Sequence, residues 1–462
     1  MRVAEQARQL AGVTEVAVVM GTATGRSMLA QAAMWPAEAP AGESSDLLVA
    51  VRASSEAVAH RALACVEELL SAGRDTGAAG WVAAPPRTTA SAARGGSANV
   101  ALIAVPGAYA VLDAHQALSS GLHVFLFSDG VSLDDEVALK HRAHERGLLV
   151  MGPECGTAII NGVGLGFANR VRRGSIGIVG ASGTGIQEVT CLIHRLGAGV
   201  SHAIGTGGRD LQAAVGGATT LQSLERLAAD ESTRAVLIVS KPASPAVADI
   251  VLRAAVETKK PVVACLLGYD GAVPGGVRAV TTLEEAAAAA VMLAGGAVVD
   301  LDGPAPVARG GTRGAVRGLY AGGTLCDEAR RIVGGSPHDF VDFGAEEFTR
   351  GRPHPIIDPS RRNAAIVEAG DDPTVSVLLL DLILGDCAHP DPAAAVGSAL
   401  AEARERAQRG GRALSVVAHV VGTDDDPQGL GRQEKTLRDL GALVCASNRR
   451  AAETARAIAR DA

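Results

Sequence analysis

Residues 175–188 read Ser-Ile-Gly-Ile-Val-Gly-Ala-Ser-Gly-Thr-Gly-Ile-Gln-Glu. A short apolar run with no polar alternation enters a turn of glycines and hydroxyl residues, and a helical pattern follows it. Such a run suits a strand buried on both faces, as in a parallel sheet. Comparable runs recur along the chain: VTEVAVVMGT (13–22), DLLVAVRA (46–53), NVALIAVPG (99–107), LHVFLFSDG (122–130), LLVMGP (148–153), AVLIVSKP (235–242) and PVVACLLG (261–268). Helical-period segments lie between them. In SLDDEVALKHRAHERG (132–147), Ser132 is placed to cap, acids fill the first turn, bases the last, and Gly147 stops the helix. The alternation predicts an α/β protein made of several doubly wound parallel-sheet domains.

Composition narrows the function. The chain has 462 residues, 47% hydrophobic and 20% charged, a length that suits about three domains. Eleven aromatic residues (two Trp, three Tyr, six Phe) and a net charge of −7 argue against a nucleic-acid partner. Such a partner needs stacking rings and a concentrated basic surface. The N-terminus MRVAEQARQLAG has no apolar core of a signal peptide, and the Ala-rich stretch 286–299, broken by Gly295 and Gly296, is too short for a membrane span. The seven cysteines are scattered without a CxxC pair, which fits reduced thiols and a cytoplasmic location. Two aperiodic stretches, Trp81–Ser97 and Asp300–Gly314, read as linkers.

The chain also echoes itself. IGIVGASGTGIQE (176–188) resembles GLYAGGTLCDE (318–328). AVLIVSKPASPAVADIVLRAA and PVVACLLGYDG have counterparts in SVLLLDLILGDCAHPDPAAAVGSAL and LSVVAHVVGTDDD, in the same order. Residues 173–299 and 315–462 therefore read as two copies of one α/β domain.

Ser182, Gly183, Thr184 and Gly185 open a helix directly after a strand, where first-turn N–H groups are unpaired and favour an anion. The other reading is a tight turn capped by Ser and Thr. Gly207, Gly208 and Arg209, and Gly322, Gly323 and Thr324, fall at other strand carboxyl ends, where open α/β sheets bind ligands. Lys241, one of five lysines, follows a strand directly and suits a phosphate or carboxylate, or is a solvated loop lysine. Ser244 is expected to cap the helix that starts at Pro245. Glu188 is a candidate base or acceptor-orienting group, or a first-turn acid serving the helix dipole. His141 and His144 read as a solvated helix face. His389, beside Asp386, Cys387 and Asp391, and His354, between Pro353 and Pro355, are candidates for acid–base work or substrate contact, with metal ligation or loop structure as the alternatives. No metal framework stands out.

The runs VMGPECGTAIINGVGLGFANRVRRGSIGIVGASGTGIQEVT (150–190), AIGTGGRDL, GLYAGGTLCDEA, FVDFGAEEFTRGRPHPIIDPSRRN (340–363) and VGTDDDPQGL resemble the FdrA family. That family is similar to the NDP-forming acyl-CoA synthetases, of which succinyl-CoA synthetase is a member. Beside an N-terminal α/β region (1–94) and a linker (300–314) read from the breaks above, the resemblance implies a CoA-binding-like Rossmann domain (95–172) and two flavodoxin-like ligase domains (173–299 and 315–462). It assigns phosphate to Ser182, Gly183 and Thr184, and gives Glu188 the place of a Glu that holds a phosphohistidine loop. AVPGAY and FSDGVS match CoA-contacting loops, which points to Pro106, Ser128, Asp129 and Gly130. The family's phosphohistidine loop is replaced by Gly268-Tyr269-Asp270-Gly271-Ala272, and no His occurs between His202 and His338. No segment is long enough for an ATP-grasp domain, so a nucleotide site would come from another chain. The family is also associated with purine-ureide (allantoin) catabolism, as one component of an oxamate carbamoyltransferase with two partner subunits. Expected ligands are small acyl phosphates with carboxylate or amide acceptors; the alternatives are an NDP-forming acyl-CoA synthetase that takes its nucleotide-binding subunit from a partner, and a non-catalytic scaffold or metabolite sensor. CoA is an optional rather than obligatory cofactor, and an oligomer with partner subunits is expected.

Overall fold

A computed structural model describes residues 2–36, 43, 46–72, 86–96, 98–298, 301, 314–350 and 352–461. The chain separates into two compact units, Met1–Pro86 and Arg87–Ala462.

In the first unit, β1 (Val13–Met20) and β2 (Leu47–Ala53) pair antiparallel, not parallel as the strand–helix alternation suggested. Val16, Val18, Val49 and Val51 pack with Ala7 and Val66, while Glu15 and Arg52 form an ion pair at the surface (2.6 Å). A sheet that buries only one face does not need the parallel arrangement. The unit ends at Pro86, so the boundary expected at 94 moves. Thr89–Gly95, within the expected linker, is a helix closed by a Thr88/Ser91 capping box. The linker residues 81–85, 97, 300 and 302–313 lie outside the described residues.

The second unit begins with a parallel three-stranded sheet of β3 (Val100–Ile103), β4 (His123–Leu126) and β5 (Val150–Met151). Helices Gly107–Ser119 and Leu133–Glu145 connect these strands. A hairpin of β6 (Thr157–Ile160) and β7 (Val163–Gly166) follows, and it joins the next sheet rather than this one. The boundary expected at 172 is thus crossed.

That next sheet holds β8 (Arg173–Ala181), β9 (Val200–Gly205), β10 (Ala235–Ser240), β11 (Val262–Leu266) and β12 (Val277–Ala279), with the hairpin on the β9 edge. The last sheet holds β13 (Ala315–Tyr320), β14 (Asp339–Asp342), β15 (Val375–Ile383), β16 (Ser415–Val421) and β17 (Leu443–Cys445). Counted within each domain, both sets of five run in the order 2-1-3-4-5 with all pairs parallel. This is the flavodoxin-like order, so the internal echo is a duplicated fold.

The two sheets share one core. Ile176, Ile178, Leu237 and Val239 from the first, and Val316, Val377, Leu379 and Val417 from the second, face the same cluster. Between them lie Ile186, Val189, Leu192 and Ile193 of helix Gly183–Arg195, and Leu325 and Ala329 of helix Gly323–Val333. Helices Leu283–Leu293 and Asn448–Asp461 complete the layer. Intervening strand residues such as Val236, Ile238, Leu378 and Leu380 feed two outer clusters. Strands apolar on both faces are therefore covered on both faces.

Candidate functional site

Duplication places the two glycine-rich turns against each other. Ser182 caps helix Gly183–Arg195, its Oγ accepting the Gly185 N–H at 2.9 Å, and the same oxygen meets Thr324 Oγ1 at 2.5 Å. A Cβ built on Gly322 would fall 3.0 Å from both Thr184 Cβ and Thr184 Oγ1, so the second turn touches the first helix directly. Two helix N-termini thereby share one place, and the first-turn N–H groups of each have no partner inside their own helix. Beside the first turn, the buried hydroxyls Thr157 Oγ1 and Thr206 Oγ1 have no hydrogen-bond partner. Thr157 Oγ1 lies 3.7 Å from where a Gly183 Cβ would stand. Buried polar groups are normally satisfied, so this corner has donors to spare for an anion.

The second turn is furnished differently. Asp381, fully buried on β15, accepts the Ala321 and Gly322 N–H groups at 2.7 Å each, and Arg362 donates to its carboxylate at 3.0 Å. Burial raises the Asp381 carboxyl despite the Arg362 charge and the two N–H donors. Lys241 reaches across from the first domain. A Cβ on Gly323 would fall 2.4 Å from its Nζ and 2.3 Å from Asp342 Oδ2, and the two side chains pair at 3.9 Å. Lys241 was expected near this edge, but Asp342, at the end of β14, was not anticipated.

Other candidates do different work. Glu188 is 1% exposed, and its Oε2 pairs with His419 Nε2 at 2.8 Å while Oε1 accepts the Asn448 N–H at 3.2 Å. It lies in the interdomain core and is not placed to act as a base. Burial alone would lower the His419 imidazole, but the Glu188 charge, its hydrogen bond and the Cys445 carbonyl outweigh it and hold the ring above its ordinary value. Glu328, the counterpart of Glu188, accepts the Leu283 N–H at 2.7 Å and a bond from Asn448 Nδ2 at 2.7 Å. Each glutamate thus holds the first residue of the other domain's last helix. Burial lifts Glu328 to about 7 against the pull of those two donors.

Arg209 is turned away from the glycine-rich turns. It donates to Glu136 Oε2 at 2.9 Å and to the Val131 carbonyl at 2.8 Å. The same Glu136 meets Lys140, which also holds Asp210 (2.7 Å) and the Thr206 carbonyl (3.0 Å). The charged helix 133–145 is therefore not wholly solvated: Glu136 and Lys140 are buried in this network, and His144 Nδ1 meets Gln222 at 3.0 Å, while His141 stays exposed. Gly207, at φ +87°, lets the chain pass the Pro153 carbonyl, where a Cβ would come within 2.4 Å, and Gly208 faces open space. His389 braces its own loop, Nδ1 accepting the Asp391 N–H at 3.0 Å. Ser244 occupies the cap position without a side-chain capping bond.

The residues expected to contact CoA lie close to one another. Pro106 caps helix Gly107–Ser119, and a Cβ on Gly107 would fall 2.3 Å from the Asp129 carbonyl and 2.5 Å from Gly130. Ser128 is buried under this junction, its Oγ 3.5 Å from the Ile103 carbonyl. Phe127 contacts Phe167 (5.4 Å), which contacts the His354 ring (5.6 Å), linking these loops to the second turn's side. Burial pushes the Cys155 thiol, close by, up to about 12, which removes it as a nucleophile.

Three family descriptions match: "CoA-ligase" over residues 319–458, "CoA binding domain" over 171–265, and "AllF, heavy metal-associated domain" over 1–85. The second falls on the segment that the sequence resemblance treated as the first ligase-like domain. The third does not fit a metal. Residues 1–85 hold one cysteine and one histidine, Cys65 and His60, whose five-residue spacing on helix Glu56–Ala72 sets them ~140° apart. A soft metal needs several such ligands converging on it. Among the described residues no group of three metal-ligating side chains occurs, and no helix is long and apolar enough to cross a membrane.

The uncharacterised protein YahF of Escherichia coli (strain K12) is 38% identical, over 97% of this chain and 93% of its own length. Subunit alpha 2 of an ADP-forming succinate–CoA ligase from Archaeoglobus fulgidus is 29% identical over 32% of this chain and 52% of its own, so the match spans about half of that relative. Among solved structures, the apo form of the dinucleotide forming acetyl-coenzyme A synthetase 1 of Ca. Korarchaeum cryptofilum aligns over 78% of this chain and 82% of its own. The identity there is 15% and the TM-score 0.36. With YahF matched over nearly the whole of both chains, and a CoA-binding and a CoA-ligase domain recognised on the two halves that carry the facing glycine turns, the chain belongs to the FdrA family of succinyl-CoA-synthetase-like proteins.

Proposed function

We propose that this protein is an acyl-phosphate-handling subunit, working as one component of an oxamate carbamoyltransferase in ureide catabolism. The observation that carries the reading is the anion corner at Ser182–Gly185, built on two facing helix N-termini with unsatisfied buried hydroxyls beside it. No histidine stands in the loop at 268–272 to take the phosphoryl group. Instead, Tyr269 there bonds Asp249 at 2.5 Å, and the Arg331 guanidinium lies against Gly268. Carbamoyl phosphate suits such a site, because its transfer needs a phosphate cradle but neither a phosphohistidine nor a nucleotide. Helix N-termini fixed before reaction would stabilise the departing phosphate. The test is carbamoyl-phosphate consumption with oxamate by the chain and its partner subunits. Ser182→Ala with Thr184→Val should lower kcat/KM by about a hundredfold, comparable to losing an oxyanion donor. An unchanged rate refutes the site.

A second reading is a CoA ligase that takes its nucleotide-binding subunit from a partner. The packed Pro106, Asp129 and Gly130 loops favour it. Under it, CoA raises the melting temperature of the full chain, since a ligand that binds only the folded state stabilises it. No shift at millimolar CoA counts against this reading.

A further inference from the structure

The second turn carries side chains that the phosphate cradle does not use. Lys241 enters from the end of β10, Asp342 from the end of β14, and both stand over Gly323 at the start of helix Gly323–Val333. His354 lies on the far side of the loop that follows β14. A Cβ on Gly344 would fall 2.9 Å from His354 Nε2 and 3.1 Å from Asp342 Oδ1, so the imidazole and the carboxylate flank the same glycine. The Ile356 N–H donates to His354 Nδ1 at 3.2 Å, which places the ring proton on Nε2, the nitrogen nearer Asp342. One residue before Gly323, Gly322 touches Thr184 of the phosphate cradle. The group of three therefore adjoins the place where an acyl phosphate would sit, and it is assembled from both halves of the duplication. Asp381 plays no part, since its oxygens are taken by the Ala321 and Gly322 N–H groups and by Arg362.

We propose that Lys241, Asp342 and His354 form the acceptor subsite, taking a small carboxylate that carries an N–H nucleophile next to its carboxyl group. Lys241 binds the carboxylate and Asp342 is the catalytic base. His354 is a positioning residue whose Nε2–H orients the bound acceptor and the Asp342 carboxyl. This rests on the acyl-phosphate reading above. The acceptor nitrogen attacks the carbonyl carbon of the acyl phosphate, and the carbon–oxygen bond to phosphate breaks. The leaving phosphate stays on the helix N-termini, and the nitrogen's proton passes to Asp342, which returns it to solvent. No electrons are gained or lost.

The charge environment suits a base. Burial raises Asp342 to about 6. The groups facing it are Lys241, which lowers it, Asp381 on β15 and Asp327 on helix Gly323–Val333, which raise it, and the Gly344 N–H, which lowers it. His354, pushed down to about 4 by burial and by the Arg362 and Lys241 charges, stays neutral beside it. A carboxylate with a value near 6 is ionised at neutral pH yet basic enough to accept a proton.

The test has two arms. In the active complex, Asp342→Asn lowers kcat by about a hundredfold or more, leaves the acceptor KM within a few-fold, and removes the acidic limb of the pH–rate profile near pH 6. His354→Gln lowers kcat while keeping that limb, and Lys241→Met raises the acceptor KM by about tenfold, the loss of one charged hydrogen bond. An acidic limb that survives Asp342→Asn overturns the assignment. The second arm needs no turnover. Oxamate and inorganic phosphate, each at millimolar concentration, are scored by the melting temperature of the full chain. Lys241→Met abolishes the oxamate shift and keeps the phosphate shift, while Ser182→Ala with Thr184→Val does the reverse. No oxamate shift in the wild-type chain, or one indifferent to Lys241, sinks the acceptor subsite. If oxamate and phosphate shifts behave as stated while the complex shows no carbamoyl transfer, the carbamoyltransferase reading falls and the subsite stands.

Discussion

Replacing Glu188 with alanine tests whether the two flavodoxin-like domains are locked by their crossed glutamates. The carboxylate and His419 are each 1% exposed and 2.8 Å apart, and they come from opposite halves of the duplication. Removing one partner of a buried pair costs about 3–5 kcal/mol, because the other is left desolvated and unpaired. The Asn448 N–H also loses its acceptor at the start of the last helix, a cap worth about 1 kcal/mol. The two losses share one side chain and do not simply add, so a total of about 4 kcal/mol is expected. That is nearly a thousandfold in the folding equilibrium. In urea, with a slope of about 3 kcal/mol per molar, the midpoint should fall by more than 1 M. Glu188→Gln keeps an acceptor for Asn448 and a hydrogen bond to the imidazole, so it should lose no more than about half as much. Glu188→Ala with His419→Leu, which removes both charged partners, should recover part of the loss. Activity in all three should follow the folded fraction. If Glu188→Ala costs less than 1 kcal/mol, or if Glu188→Gln is fully folded yet inactive, the structural role is wrong and a chemical one must be restored.

Two further outcomes follow from the same interior. Glu328 rises from 4.5 to about 7 on folding, so its stabilising contribution is complete below pH 4.5 and is lost as pH climbs to 7, a span on the order of 3 kcal/mol. Glu328→Gln should flatten the stability profile across that window in urea titrations, and an unaltered profile would contradict the burial. Lys140→Met leaves Asp210 buried without its cation and Glu136 with Arg209 alone, and the loss should be about 3–5 kcal/mol. A variant as stable as wild type would show that this network carries no net stability.

Much of the fold can be read in the chain itself. Ile176–Val179 and Ala235–Ser240 are strands because an apolar run without alternation has no solvent face, and the glycine-rich stretches at 180–185 and 322–323 do open helices. The duplication was legible because the same run–turn–helix order occurs twice. The first unit was misread as parallel, since VTEVAVVM and LLVAVRA carry as many apolar residues as a two-faced strand yet bury one side only. The residues of the hairpin at 157–166 fell within the domain expected at 95–172 yet pair with the next sheet, because nothing local states which edge a strand will join.

The candidate site divides along a similar line. Ser182, Thr184, Gly322, Gly323, Thr324 and Lys241 could be picked out because a strand end, a turn and a helix start are decided within a few residues. Asp342, His419 and Asp381 were not picked out, while Glu188, Arg209 and His389, candidates for chemistry, are tied respectively to His419 and Asn448, to Glu136, and to their own loop. Glu188 and His419 stand 231 positions apart, so only packing makes them partners. Hydrogen bonds and ion pairs act over a few ångströms, and a linear pattern carries no such distance across domains. The sequence by itself determined the strands, turns and helix starts, because these depend on local backbone sterics and burial period. Tertiary structure alone decided which turn faces which, which charges are buried, and which side chains are left free to meet a ligand.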